Sequence, residues 1–381
     1  MNSNNSPTST FIIPFTLPWD WSADYQKQTC LELAKEHKVV AYMQRDRIFF
    51  LKAILKRNII KYTNIKNIYF YRPYYFLPFQ RINAIEKINQ ILSFKIFEFF
   101  FFAKTRKILW IFDSIFYNFC RSFKGMKIYD CVDLVWNNNS TILKEIQKLE
   151  KYLIRDVNYF FVNSYILAKK HSKIRSATKI LPQGFRIDDF SKPISINNIF
   201  PKDKPIIGFV GAFNHRINFD LVTNLIKRNS QWHFVFWGPT DEIDVLDSDK
   251  TFLEIEKLKT YKNVTIGKSK DRKEIPSIIN KFSIGIIPYD IKQDVNYYCY
   301  PMKTFEYFYE GIPVVSTPIE ELKRFPDFVK IGTTVNGWEK IISLLIEKTW
   351  PNSFKSKQKL LAIENSWKNK VSQILSTIQI D

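Results

Sequence analysis

The feature of this chain that most constrains its fold is the alternation of short apolar runs with segments of helical periodicity. FIIPF at 11–15 and KVVAYM at 38–43 flank such a segment, and this order predicts a strand, a helix and a second, parallel strand. The same pattern continues along the first half of the chain. Further strands are predicted at 68–73, 107–112, 126–133, 158–164 and 178–184, with a helix at 142–156.

The alternation restarts after a polar segment at 186–205 that contains three prolines, and we interpret this segment as a linker. A chain of 381 residues is longer than one hydrophobic core usually supports. The sequence therefore predicts an α/β protein with two Rossmann-like, doubly wound domains at 1–190 and 200–360. Strands of the second domain are predicted at 206–213, 232–238, 263–267, 282–289 and 313–317, with helices that begin near 219, 272 and 301.

The chain carries a formal net charge of +20, which favours polyanionic partners such as nucleic acid, anionic lipid or phosphorylated substrates. Basic residues are interleaved with aromatic ones between 45 and 128, a composition typical of a surface that lies on an anionic membrane. A buried helix with a solvated basic side is the alternative. Five charged residues interrupt the apolar window 93–112, so we do not expect it to span a membrane. No nucleic-acid-binding motif accompanies the charge, and we do not expect that partner.

The composition and the termini also predict a compartment. The N-terminal sequence MNSNNSPTST lacks the basic and apolar regions of a signal peptide, so we expect a cytoplasmic location at the inner face of the cell membrane. The four cysteines and four histidines show no metal-ligand spacing, and the DSD triplet at 247–249 lies in a longer acidic run. We expect neither a metal nor a cofactor. The first strand–helix unit lacks GxGxxG, which argues against a dinucleotide-dependent oxidoreductase or sugar epimerase.

The order of the motifs is more specific than any single motif. YDCVD at 129–133, ILPQGFRIDDF at 180–190, IIGFVGAFNHRINFDLV at 206–222 and PMKTFEYFYEGIPVVST at 301–317 follow one another. This order resembles that of GT-B glycosyltransferases related to families 4 and 1, especially bacterial enzymes of surface-polysaccharide assembly. The resemblance implies two Rossmann-like domains that face a central cleft, with a C-terminal helix at 361–381 crossing back toward the first domain. It also implies transfer of a sugar from a nucleoside diphosphate sugar to a hydroxyl of a glycan acceptor, which we expect to be lipid-linked.

The stretch 301–317 carries the central functional prediction. A nucleotide-sugar donor presents two ribose hydroxyls and a charged diphosphate, so its site needs a carboxylate and cations. Glu306 can accept both hydroxyls, and Lys303, almost one helical turn earlier, lies on the same face toward the phosphates. The resemblance implies the same role, because the family's ribose-binding glutamate stands five residues before a glycine, as Glu306 stands before Gly311. The helix N-terminus is expected to add backbone N–H groups. A local capping or pairing role is the alternative for Glu306.

The loop after the first strand of the second domain is the next candidate for phosphate binding. Gly211 allows a close approach, and Arg216 supplies a cation. His215 and Arg216 have an alternative as solvated loop residues.

Three further residues are implicated by the resemblance. Tyr298 stands where the family's more widespread pattern has a second glutamate that touches the donor sugar, and this departure argues against the sugar contacts of retaining enzymes. Met302 precedes Lys303 as in inverting bacterial enzymes. Glu274 lies where relatives bind the base of the nucleotide. The full set of donor-binding candidates is Glu306, Lys303, Met302, Gly211, Arg216, His215, Tyr298 and Glu274.

Transfer to a hydroxyl also needs a general base on the opposite domain. Asp133, which ends the predicted strand at 126–133, occupies the position where related enzymes place a histidine or an aspartate; a hydrogen-bonding role in the turn is the alternative. Asp20 is the second candidate, because Trp19 and Trp21 beside it could stack on a sugar. Two alternatives to an enzyme stay open. One is a catalytically inactive GT-B scaffold, because Tyr298 departs from the family pattern, and the other is a basic protein that binds nucleic acid or an anionic membrane.

Overall fold

The computed structural model describes residues 9–16, 19, 25–43, 60–62, 65–72, 75–79, 82–101, 106–135, 139–197, 199–239, 248–269 and 271–380. Asp20, the basic segment 45–59 and the acidic run 240–247 lie outside these ranges. Contacts divide the chain into two compact units, one of residues 1–163, 168–181 and 371–381 and the other of residues 164–167 and 182–370. This division rests on contacts alone, and the domain limits drawn from the sequence stay predictions.

The first unit is built on a sheet in which the strand order is β3-β4-β2-β1-β5-β6-β7-β8 over the described residues. All neighbours are parallel except β3 and β4, which pair antiparallel. The central strand β1 is buried along its whole length, as expected for a parallel strand covered on both faces. The strands are β1 Ser9–Pro14, β2 Lys38–Tyr42, β3 Ile60–Tyr62, β4 Ile68–Tyr71, β5 Arg106–Ile111, β6 Met126–Cys131, β7 Tyr159–Val162 and β8 Lys179–Ile180.

The second unit contains a fully parallel sheet of order β11-β10-β9-β12-β13-β14 in its described part. Renumbered from one, this is the 3-2-1-4-5-6 order of the Rossmann fold. The predicted α/β class with two Rossmann-like sheets is therefore confirmed. The strands are β9 Ile206–Val210, β10 His233–Trp237, β11 Val264–Gly267, β12 Ile284–Ile287, β13 Val314–Ser316 and β14 Val329–Ile331.

Helices connect these strands, and several begin at the side-chain caps that the sequence supplies. Asn139 accepts hydrogen bonds from the backbone N–H groups of Thr141 and Ile142, and Asn218 caps a helix of the second unit through the N–H of Leu221. The helices are α1 Tyr25–Leu33, α2 Asn83–Phe101, α3 Tyr117–Ser122, α4 Ser140–Asp156, α5 Tyr165–His171, α6 Ile187–Ser191, α7 Phe219–Arg228, α8 Ser248–Lys259, α9 Ile275–Ile279, α10 Asp294–Tyr297, α11 Lys303–Tyr309, α12 Val335–Glu347, α13 Asn352–Glu364 and α14 Trp367–Thr377.

Each unit has its own hydrophobic core. In the first, Phe11, Trp110 and Ile128 pack in one cluster with Val371 and Ile374 of α14. The last part of the C-terminal helix therefore contributes apolar side chains to the core of the first sheet.

The polar segment 186–205 differs from the solvated linker that its composition predicts. Its first part forms α6, and Phe190 is buried against the rings of Phe185 and Tyr309, at centroid distances of 4.9 and 5.4 Å. The polar neighbours of Phe190 conceal this apolar contact in the sequence, and burial of the ring packs α6 within the second unit. Within the ranges listed above, no helix combines the length and the hydropathy needed to cross a bilayer.

Candidate functional site

The second sheet has a topological switch point between β9 and β12, where the strand order reverses. In open α/β sheets ligands bind at the carboxyl ends of the strands beside such a point. Gly211 follows β9, and Tyr289 lies two residues beyond the end of β12. The loop that begins at Gly211, a candidate for phosphate binding from the sequence, therefore lies at the switch point.

Helix α11, which carries Lys303 and Glu306, is held against this sheet by Tyr307. The Tyr307 side chain is fully buried, and its hydroxyl accepts a hydrogen bond of 3.0 Å from the backbone N–H of Val210. The ring occupies the space above Gly285 of β12, where a Cβ would lie only 2.7 Å from Tyr307 Cδ2. Close packing of helix and strand therefore fixes the position of α11 relative to the ends of β9 and β12.

Lys303 is 9% exposed, and its ammonium group lies at the switch point. It donates a hydrogen bond to the Tyr289 hydroxyl. Its Nζ also lies 4.2 Å from the ring centroid of Phe209 and 4.6 Å from that of Tyr289, so two aromatic faces stabilise the charge. No carboxylate of the described residues forms an ion pair with Lys303, which leaves its charge available to an anionic ligand.

Gly211 has a φ of +123°, a conformation that side chains other than hydrogen rarely allow. A Cβ at this position would lie 3.1 Å from both Cε and Nζ of Lys303. The glycine therefore keeps the approach to the ammonium group open, as expected for a loop through which a phosphate reaches a buried cation.

Glu306 is 5% exposed and pairs with Arg272, whose Nη2 lies 2.5 Å from Glu306 Oε1. Among the described residues only Oε1 of this carboxylate is engaged in a hydrogen bond, which leaves Oε2 available for a ligand hydroxyl. Arg272 begins a 3₁₀ turn after β11, capped by Asp271 through the N–H of Lys273 at 2.9 Å. Sequence reasoning missed Arg272, because it stands 34 positions before Glu306 in an ordinary basic loop.

Arg272 continues into a small ion network. Its Nε lies 3.1 Å from Asp189 Oδ2, and the same oxygen lies 3.0 Å from Nε of Arg186. Burial acts to lower the pKa of Arg272, but the carboxylates of Glu306 and Asp189 outweigh it and raise that pKa. Burial lowers the pKa of Arg186, and the Arg272 charge adds to that effect against Asp189. The network holds the Glu306 carboxylate in one orientation.

Arg216 lies in the loop after β9, as predicted, and it is tied to the segment that leads to α11. Its Nε donates to Asn296 Oδ1 at 2.6 Å, and its guanidinium carbon lies 4.8 Å from the Tyr289 ring centroid. Asn296 is fully buried and donates to the carbonyls of Arg216 and Asp290 at 3.0 and 2.9 Å. Arg216 is therefore held by contacts within the protein, and its predicted contact with the donor stays a prediction.

His215 lines a cavity of about 280 Å³ with Asn218, Lys250, Glu254 and Asp290. Neither Lys303 nor Glu306 lines this cavity. His215 thus lies beside the switch point, and its predicted contact with the donor stays a prediction.

Two further donor candidates, Tyr298 and Met302, lie in the segment between α10 and α11. Met302 precedes the helix, and its carbonyl accepts from the N–H of Phe305 at 3.0 Å, while the N–H of Thr304 bonds to Pro301. These bonds use the backbone N–H groups of Thr304 and Phe305 within the first turn of α11, and the predicted contact of phosphate with the N–H groups near 301–303 stays a prediction. Tyr298 follows α10 with its ring 5.3 Å from that of Tyr297.

Glu274 ends the 3₁₀ turn that presents Arg272 and is half-buried. The predicted contact of Glu274 with the nucleotide base stays a prediction.

The base candidates lie in the first unit. Asp133 is exposed, two residues beyond the end of β6, and its carbonyl lies 3.5 Å from Cys131 Sγ. Asp130, by contrast, is fully buried within β6. Asp113, which sequence reasoning missed, follows β5 at the switch point of the first sheet, between β1 and β5. Burial raises the pKa of Asp113, although its hydrogen bond from the Ile115 N–H opposes this shift. Asp20 lies outside the described residues.

Part of the second unit is similar to a known protein family. Residues 191–326 match the family model described as glycosyl transferases group 1. The chain is 28% identical over 213 residues to TuaH of Bacillus subtilis (strain 168), a protein to which a role as a teichuronic acid biosynthesis glycosyltransferase is ascribed. The aligned part covers 52% of this chain and 51% of TuaH, so the chain spans about half the length of this curated relative.

Solved structures with the same fold match almost the whole chain. Sucrose-phosphate synthase from Thermosynechococcus elongatus superimposes with a TM-score of 0.73 at 12% identity, over 97% of this chain and 98% of that one. Anabaena HepE, in complex with UDP and glucose, gives a TM-score of 0.66 at 11% identity, over 98% and 99% of the two chains. The resemblance inferred from the order of motifs is therefore confirmed at the level of the fold: the chain has the GT-B fold, and its residues 191–326 match the family model of group 1 glycosyl transferases.

Proposed function

We propose that this protein is a glycosyltransferase that takes a sugar from a nucleoside diphosphate sugar and attaches it to a hydroxyl of a glycan acceptor. The observation that carries this proposal is the placement of Lys303 and Glu306 on one buried helix at the Rossmann switch point. A cation and a carboxylate one turn apart suit a diphosphate and a ribose, which are the two parts of a nucleotide that differ in charge.

The two side chains divide the donor between them. Glu306 Oε2 accepts from the ribose hydroxyls while Arg272 holds Oε1. Lys303 meets the diphosphate through the opening beside Gly211, with Arg216 as a second cation. HepE was solved with UDP and glucose, and this supports a uridine nucleotide as the first donor to test.

In the transfer step the acceptor hydroxyl gives its proton to a carboxylate of the first unit, and its oxygen forms a bond to the anomeric carbon of the sugar. The bond between that carbon and the diphosphate oxygen breaks, and the electron pair leaves with the diphosphate. Lys303 stabilises the charge that develops there. Asp133 is our first choice as the base, because it is exposed at the carboxyl end of β6; Asp113 and Asp20 are the alternatives. We expect no metal in this step.

The class of acceptor is inferred from the curated relative. The similarity to TuaH, with its ascribed role in teichuronic acid biosynthesis, supports an acceptor that is a growing surface polysaccharide. A lipid-linked form of such a glycan would place the enzyme at the inner face of the cell membrane.

Helix α2 supports membrane association through three exposed apolar side chains. It buries Asn89 and Ser93 but exposes Ile88, Ile91 and Phe99, by 43, 56 and 82%. With Lys95, which is also exposed, the three apolar residues recur every three or four positions and so share one face. An apolar stripe that contains a lysine suits an anionic membrane surface. Phe99→Ser should reduce sedimentation with anionic vesicles, whereas Leu360→Ser, at a residue 60% exposed on α13 of the second unit, should not. Equal sedimentation of both variants would refute this surface.

The transfer itself is tested with a panel of radiolabelled nucleotide sugars and lipid-linked glycans as acceptors. We expect label from one donor to enter the glycan fraction with the wild type, and little label with Lys303→Ala. Binding of a donor without transfer to any acceptor and without its hydrolysis would favour a catalytically inactive GT-B scaffold instead.

A further inference from the structure

A second cluster of chemically active side chains lies in the first unit, whereas the donor candidates belong to the second. Cys131 ends β6, Glu150 lies on α4 and His171 ends α5. All three are buried, with exposures of 0, 4 and 3%. No sequence motif joins them, because the three residues come from three different elements.

The three side chains face a common centre. Cys131 Sγ lies 3.9 Å from Glu150 Oε1 and 3.9 Å from His171 Nε2, and these last two atoms are also 3.9 Å apart. The nitrogen and the oxygen are thus too far apart for a direct hydrogen bond, which would bring them to about 2.7–3.2 Å. A point equidistant from all three atoms lies about 2.3 Å from each, close to the usual zinc–sulfur distance and slightly beyond zinc–nitrogen and zinc–oxygen distances.

We propose that Cys131, Glu150 and His171 form a buried binding site for a divalent metal ion, with zinc the best match to these ligands. Thiolate, imidazole and carboxylate are the ligand types of zinc in proteins. A divalent cation also balances the charges of one thiolate and one carboxylate that are both removed from water.

A neighbouring hydroxyl supports the carboxylate ligand. Tyr129, which is 1% exposed in β6, donates a hydrogen bond of 2.8 Å to Glu150 Oε1. Donors of this kind orient the ligands of metal sites and are part of their design. The ion would tie α4 and the end of α5 to the carboxyl end of β6, just before Asp133. Its role is structural, and it is separate from the transfer step.

The experiment measures metal directly in the full-length protein. The wild type, purified without chelators, is analysed for bound metals, then stripped and titrated with Zn²⁺ and with Co²⁺. We expect one equivalent of zinc per chain and a thiolate-to-cobalt charge-transfer band in the near ultraviolet. Cys120→Ser is the matched control, because Cys120 is also a fully buried free cysteine of the first unit; it should keep both the zinc and the band. Cys131→Ser should lose both.

Tyr129→Phe gives a graded test that leaves all three ligands in place. Loss of the outer hydrogen bond should weaken zinc binding about 10- to 100-fold. A wild type that folds without metal and gives no cobalt band would overturn the proposal, as would full retention of both by Cys131→Ser. If Cys131→Ser does not fold, the wild-type spectrum and unchanged zinc affinity in Tyr129→Phe decide in the same way.

Discussion

Arg272 holds the carboxylate of Glu306 through a contact of 2.5 Å between Nη2 and Oε1, and it bonds to Asp189 with its Nε. One guanidinium group thus joins the turn after β11 to the helix that carries Lys303. Because the guanidinium group can bind two carboxylates at once, Arg272 fixes the position of the Glu306 carboxylate relative to Asp189.

Removal of Arg272 should destabilise the second unit, because Glu306 would remain as a buried carboxylate without its partner. We expect Arg272→Gln to lower the free energy of unfolding by about 1–3 kcal/mol, below the cost of breaking a fully buried pair because Arg272 is partly exposed. Arg228→Gln is the control, since Arg228 is half exposed in its pair with Glu339, and its effect should stay below about 1 kcal/mol. Urea titrations compare the free energies of unfolding of the two variants. Equal losses would show that the pair of Arg272 with Glu306 stabilises the fold no more than an exposed ion pair does.

Lys303 and Glu306 should differ in the part of the donor that they recognise. We expect Lys303→Ala to weaken binding of a nucleoside diphosphate about 10- to 100-fold, as for loss of a charged hydrogen bond, with little change for the nucleoside alone. Glu306→Gln should weaken binding of both ligands. Calorimetric titrations with the two ligands measure these effects, and identical selectivity in the two variants would contradict the assignment.

A methyl group at Gly211 should block the approach to Lys303. The left-handed φ of +123° and the 3.1 Å contact predicted for a Cβ should make Gly211→Ala both less stable and weaker in diphosphate binding. If the methyl group acts through Lys303, the same change made in Lys303→Ala should add little further loss of binding. Additive losses in this double-mutant cycle would mean that Gly211 acts independently.

Glu310, which follows α11, should make stability depend on pH. Burial raises the pKa of Glu310 from its ordinary 4.5 to about 7, and Lys359 only partly opposes this. Because the folded state favours the protonated carboxyl, this group contributes its full stabilisation below pH 4.5. The contribution is lost as the pH rises through 7. Between pH 5 and pH 8 we expect the wild type to lose about 1–3 kcal/mol more than Glu310→Gln. Glu347→Gln, at an exposed residue of α12, should follow the wild type; an unchanged slope in Glu310→Gln would contradict this prediction.

The general base should be separable from donor binding. Asp133→Asn should leave nucleotide binding unchanged and lower the transfer rate about 10²- to 10⁴-fold, the usual contribution of a base. Asp113→Asn is the informative comparison, because Asp113 lies at the switch point of the first sheet and an asparagine can still cap the Ile115 N–H. If only Asp113→Asn lowers the transfer rate, the base is Asp113 and the prediction for Asp133 is wrong.

The strands were predictable because parallel strands buried on both faces read as continuous apolar runs. Runs such as 206–213 and 282–289 contain β9 and β12, and their ends locate the switch point. The placement of Lys303 and Glu306 on one helix was predictable for a similar reason, since a helix brings residues three apart to one face. Their contacts with the donor stay predictions.

The role of Arg272 and the cluster at Cys131 could not be predicted, because they depend on contacts between elements that are distant in the sequence. No periodic pattern in the sequence reveals such contacts. Residues 131, 150 and 171 meet only after β6, α4 and α5 have packed. A helix in the region of α2 was predicted only as an alternative and without bounds, because apolar residues such as Phe97 and Phe99 occur on more than one of its faces. The burial of Phe190 was not predicted, because its segment has a polar composition.

The measurement that tests the account most directly is calorimetric titration of the full-length protein with UDP, GDP, CDP and dTDP. We predict that one of them binds the wild type and Lys323→Ala, a control at an exposed lysine of the second unit, and that binding is about 10- to 100-fold weaker in Lys303→Ala and Glu306→Ala. Absence of binding of all four nucleotides to the wild type, or equal binding to all four proteins, would contradict the donor site.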